Sequence, residues 1–121
     1  MNHLQKNHSQ WARLGFAFQG LKSAWKGEAS FRTEVCVGAA ILLGLGWLHI
    51  TWIGWIAAIF ALAFALFAEL MNTAVEHVCD ALHPGQHPLI KIAKDCASAA
   101  VLAANLNGFV VVGLILLWGR R

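Results

Sequence analysis

From Trp52 to Ala68 the chain runs for 17 residues without a charged side chain, and the run ends on a carboxylate, Glu69. A stretch this long and this apolar does not alternate as a half-wet strand does. Nor does it show the single apolar stripe of a soluble helix. It approaches the ~20 apolar residues that cross a bilayer as an α-helix. Two more apolar runs, 35–50 and 92–118, flank it, and charged residues make up only 12% of the 121. A soluble domain carries about 25% charged residues on its surface. The composition therefore predicts an all-α integral membrane protein with three spans, at 35–50, 51–82 and 92–118.

The segment HPGQHP, 83–88, holds both prolines and a glycine, so the second span must stop there. Ahead of the spans, Trp11, Leu14, Phe18, Leu21 and Trp25 recur at spacings of three and four, with Arg13, Gln19, Lys22 and Lys26 elsewhere around the same turns. A basic helix with an aromatic face lies in the membrane interface, which predicts an interfacial amphipathic helix over 11–30. Residues 1–10 are polar and are expected to be disordered. Nothing in them resembles a cleavable signal peptide, so targeting is expected to come from the spans. Cys36, Cys79 and Cys96 are odd in number and read as free, packed thiols.

Seven of the nine basic residues, Lys6, Arg13, Lys22, Lys26, Arg32, Lys91 and Lys94, precede the first span or join the second to the third. The positive-inside bias then places the N-terminus and the 83–91 loop in the cytoplasm. Trp47, Trp52, Trp55 and Trp118 mark the outer interface, and Trp11 and Trp25 the inner one. The net charge of +3 suits anionic headgroups or a nucleotide; no stripe suited to nucleic acid is present.

A carboxylate as deep as Glu69 costs a few kcal/mol on insertion scales and marks a functional site. Asn72, Glu76 and Asp80 follow it at offsets of three, seven and eleven, within about 80° of helical arc. The four form one polar stripe descending towards the loop. The bland reading is a wet helix end holding packing residues. A second set, Lys91, Lys94, Asp95 and Ser98, opens the third span, with Asn105 two turns on. A third, Glu28, Arg32 and Glu34, precedes the first. Hard carboxylates with few soft ligands nearby suit Mg²⁺, which takes one or two of them plus substrate phosphates. Lys91, Lys94 and Arg32 are placed to neutralise phosphates. No P-loop pattern occurs, so a nucleotide site here is built another way. His77, His83, His87 and Cys79 lack the spacing of a zinc motif. Gly44 and Gly46, inside a span, read as a packing contact. The row Ala57, Ala61, Ala65 and Glu69 reads as a surface for close helix association. Three helices shield this many polar groups poorly, which predicts an oligomer.

The runs GLKSAWKGEASFR (20–32), ELMNTAVEHVCD (69–80) and IAKDCASAAVL (92–102) resemble the prokaryotic diacylglycerol kinase family, which also holds undecaprenol kinases. The resemblance covers about 11–118 and implies an interfacial helix plus three transmembrane helices, assembled as a homotrimer with shared active sites. It implies ATP as co-substrate, with Mg²⁺ held by Glu28 and Glu76, and Glu69 as the general base acting on a lipid hydroxyl. It places Phe16, Asp80, Gly85, Gln86, His87, Lys94 and Asp95 with Glu28 and Glu76 at the nucleotide. Asn72 and Arg32 support the transfer site, and Ala17, Trp25, Phe31, Glu34 and Ser98 lie on the lipid side. The expected product is phosphatidic acid from diacylglycerol, with undecaprenyl phosphate as the alternative. Phe16, Ala17 and Val112 depart from residues of some diacylglycerol kinases, and NTAVEH and HPL lean towards the undecaprenol branch. A small proton-coupled transporter would explain Glu69 but not the other polar sets; a packing subunit would explain neither.

Overall fold

The computed structural model describes residues 9–120 and is all α-helical: α1 Gln10–Gly27, α2 Ala29–Trp47, α3 Trp52–Leu82 and α4 Pro88–Trp118. Disorder expected at 1–8 lies outside the described residues. Ser9 and Gln10 depart from that expectation, because Ser9 is the N-cap of α1 and its Oγ accepts from the Ala12 amide. Serine is favoured there because its oxygen satisfies one of the orphan amides of the first turn.

Helices α2, α3 and α4 are each long and apolar enough to cross a membrane. Helix α2 begins at Ala29, earlier than the apolar run at 35 predicts, because Arg32 and Glu34 interrupt hydropathy without interrupting backbone hydrogen bonding. Only Glu28 separates it from α1, and Gly27 just ahead is a poor helix former. At its far end α2 stops at Trp47; Leu48 and His49 form a tight turn, with His49 at φ 50°. Helix α4 starts at Pro88 instead of 92. Proline is pre-organised for the first helical position, and the His87 Nδ1 accepts from the Leu89 amide to cap it.

Helices α3 and α4 form a long antiparallel hairpin, with α2 packed on α3 and α1 on α2. At ~1.5 Å per residue the 31-residue helices are ~46 Å long, against ~28 Å for the 19-residue α2. Their far ends are pinned level, since the Thr51 amide donates to the Gly119 carbonyl at 2.8 Å and Ile50 bridges Arg120. The hairpin therefore overhangs α2 at the loop end by several turns, beyond the ~30 Å of hydrocarbon.

Lipid tails are as apolar as leucine, so packing inside the membrane rests on close contact rather than on exclusion of water. Small residues supply it. Ala61, Ala65 and Ala68 of α3 are buried, as is Ala104 of α4. The alanine row thus serves close approach within the chain, with Ala57 only partly buried. A Cβ at Gly46 would meet the Trp55 ring at 3.5 Å, while one at Gly44 would meet nothing within 4 Å among the described residues. The tightest approach is Gly38 of α2, where a Cβ would overlap the Leu62 side chain of α3. Gly38→Ala is expected to be absorbed by rotation of Leu62. Gly38→Val carries two more methyls and should destabilise by about 1–3 kcal/mol. A denaturation midpoint in detergent checks this; equal midpoints for alanine and valine would mean the contact is slack.

Candidate active site

Glu69 sits 17 residues from Trp52, so it lies ~26 Å from the turn end of α3, close to the full ~30 Å depth of a hydrocarbon layer and on the side of the 83–87 loop. It is only 4% exposed and makes no hydrogen bond or ion pair among the described residues. One turn on, the Asn72 Nδ2 donates to the Glu76 Oε1 at 3.2 Å. The other end of that amide, Asn72 Oδ1, is sealed from solvent without a partner among the described residues. A buried acceptor left open costs free energy, and in a native fold it calls for an explanation such as an absent ion or ligand. Thr73 is buried beside this stripe, whereas Asp80 at its loop end is exposed.

Helix α4 brings the second set alongside. The Lys94 Nζ donates to the Asp80 Oδ1 at 2.5 Å, joining residues 14 apart in sequence across the hairpin. Lys91 pairs with Asp95 at 2.5 Å, one turn along α4 and well exposed. Exposed pairs of this kind add little stability, so their interest lies in placing charge. Lys91, Lys94 and Asp95 line a hollow with Gly85, Gln86 and His87 at the loop. Ser98 lies exposed one turn further in.

The third set arrives from the α1–α2 junction. Glu28 occupies the one-residue break, and its Oε1 lies 3.9 Å from the His77 Nε2 of α3. Glu28 is thereby held beside the residue that follows Glu76. Arg32 donates from one guanidinium nitrogen to the Trp25 carbonyl at 2.7 Å and the Lys26 carbonyl at 3.2 Å. It closes the C-terminal end of α1, where carbonyls lack helical partners and positive charge is favoured. Phe31 is buried at the same junction, while Phe16, Ala17 and Trp25 are exposed along α1. Glu34 goes elsewhere: with Thr33 it edges an apolar groove between α2, α3 and α4.

The His77–Glu28 contact and the capping by Arg32 have no counterpart in the sequence patterns. The only trace of the second is the seven-residue step from Trp25 to Arg32 across a glycine. Among the described residues no cluster of three or more His, Cys, Asp or Glu side chains gathers as a metal site would require. His83 and His87 stand with ring centroids 5.3 Å apart.

Comparison with known proteins accords with this geometry. The profile of the family described as prokaryotic diacylglycerol kinase matches residues 15–116. The diacylglycerol kinase of Escherichia coli K12 is 37% identical over 109 residues, covering 88% of this chain and 86% of the relative. That of Haemophilus influenzae is 40% identical over 86% of this chain and 83% of its own length. That of Helicobacter pylori 26695 is 34% identical over 88% and 79%. With the family profile covering 102 of the 121 residues and relatives at 34–40% identity over most of their length, the chain belongs to the prokaryotic diacylglycerol kinase family and is a membrane lipid kinase.

Proposed function

We propose that this chain transfers the γ-phosphoryl group of ATP to the hydroxyl of diacylglycerol at the cytoplasmic face of a bacterial inner membrane, releasing phosphatidic acid and ADP. The observation that carries this reading is the graded depth of one helical stripe. Glu69 is buried near the inner edge of the hydrocarbon, and the polar groups beyond it grow more exposed towards the loop. A lipid hydroxyl reaches the first from the bilayer, while a nucleotide reaches the others from water.

Glu69 accepts the proton of the hydroxyl as its oxygen bonds the γ-phosphorus and the bond to the ADP oxygen breaks. With no hydrogen-bond partner of its own, its carboxylate is free to take that proton. Asn72 steers Glu76 through its amide. Lys94, aligned by Asp80, and Lys91, aligned by Asp95, bring positive charge to the phosphates, with Gly85, Gln86 and His87 closing the nucleotide side. Phosphoryl transfer asks mainly for positioning and charge neutralisation, which a small helical scaffold supplies. Glu28, Glu76 and the open Asn72 Oδ1 are hard oxygen donors and fit Mg²⁺. Held by Glu28 and Glu76, the ion would offset the negative charge of the triphosphate.

On the lipid side stand Ala17 and Trp25 of α1, Phe31 at the junction, Glu34 at the groove mouth and Ser98 on α4. The exposed aromatic row of α1 lies in the headgroup plane, with Phe16 near the nucleotide. Copies assemble as a homotrimer. Diacylglycerol is favoured by the names of the relatives, each called a diacylglycerol kinase. The test is purified protein in mixed micelles with radiolabelled ATP and either diacylglycerol or undecaprenol. Label is expected in phosphatidic acid at several-fold higher kcat/KM. Preference for undecaprenol would reassign the substrate, and label in neither lipid would overturn the reading.

A further inference from the structure

Two amides stand in the middle of α4, Asn105 and Asn107, 13 and 11 residues short of its end at Trp118. Between Ser98 and Trp118 they are the only side chains that both donate and accept hydrogen bonds. Neither makes a hydrogen bond among the described residues. Asn107 is exposed and Asn105 half-buried, and nothing among the described residues satisfies their side chains. In hydrocarbon there is no water to do so, and such residues face a bundle interior or a partner helix instead of lipid tails.

Their placement is complementary. Two residues along a helix means about 200° of rotation and only ~3 Å of rise, so the amides lie at nearly one depth on different sides of α4. Asn105 lines the groove that α2, α3 and α4 enclose, together with Gly38, Leu62 and Val112. Asn107 lines the second groove, on the other flank of the α3–α4 contact, with Phe60, Phe64 and Val111. A ring of three or more copies joins each chain to the next through two different faces, and a residue meets its own copy only on the axis. A chain with one open amide on each of two faces, at matching depth, meets that requirement.

We propose that Asn107 of one copy hydrogen-bonds Asn105 of the next, a polar clasp that sets the register of a head-to-tail ring. The occupant of the two grooves at this depth is therefore a second copy of this chain. The assignment rests on the self-association included in the proposed function and adds which faces meet.

Cysteine cross-linking in native membranes tests it, in a background with Cys36, Cys79 and Cys96 replaced by alanine. N105C/N107C chains should oxidise to a ladder ending at the closed ring. N105C and N107C chains expressed together should give dimers only, and each expressed alone should remain monomeric on the gel. Dimers from N107C alone would overturn the pairing in favour of contact at the axis. A double variant that fails to cross-link while light scattering still finds an oligomer would overturn the clasp and leave self-association standing. A monomeric wild-type protein would overturn both. N105L and N107L in the unaltered cysteine background supply a second measurement. Each should weaken association by about threefold to tenfold, and the double change by little more than one of them. Losses that multiply would show that the amides do not meet.

Discussion

Replacing Glu69 by glutamine should cut turnover by about 10²–10⁴-fold, the range for loss of a general base, while leaving nucleotide affinity and assembly intact. Glutamine is the right probe because the site is tight. The side chain is 4% exposed, and the amide keeps its volume, so the helix contacts survive and only the proton acceptor is lost. Removing a charge from this depth lowers the insertion cost, so the variant should be at least as stable as the wild type. Single-turnover transfer from bound ATP isolates the chemical step from lipid exchange and product release. Transfer within a few-fold of wild type would take Glu69 out of the base role. A matching loss in ATP affinity would move it to the nucleotide.

Glu28→Gln and Glu76→Gln should each raise the Mg²⁺ concentration needed for half-maximal activity by roughly tenfold or more, the scale on which metal sites respond to changes even in their supporting residues. The double variant should be little worse than either single one, because two ligands of one ion are coupled and their losses do not add. Glu28 lies at the α1–α2 break, 3.9 Å from His77, the residue that follows Glu76 in α3, so both carboxylates stand towards the loop end of the hairpin. Asn72→Leu provides a related check. It removes the donor to Glu76 and the open Oδ1 together, so it should weaken the response to Mg²⁺ more than the affinity for lipid. Multiplicative losses at Glu28 and Glu76 with an unchanged Mg²⁺ requirement would separate the two residues.

Much of this was legible from local pattern alone. The period of a helix is a property of the backbone, so Glu69, Asn72, Glu76 and Asp80 can be placed on one stripe without knowing what surrounds them. Apolar length against bilayer thickness likewise reads out three spans, and HPGQHP reads out the hairpin loop. Hydropathy was a poorer guide to helix ends. It missed the start of α2 at Ala29 and of α4 at Pro88, because hydrogen bonding and capping, not greasiness, decide where a helix begins.

The sequence by itself determined which residues share a helical face, and which helices are long and apolar enough to span a membrane. Only the tertiary structure decided which faces meet. Lys94 on Asp80, Glu28 beside His77, Arg32 closing α1 and Gly38 against Leu62 all join different elements or cross a helix break. The alanine row shows the same division. Its spacing announced a close helix contact, but the partner, α4 of the same chain through Ala104, depended on how the hairpin closes. In lipid every helix face is apolar, so the hydrophobic pattern no longer labels an inside. Close packing of small residues and the few polar contacts make that choice, and both arise between elements, beyond the reach of a local period.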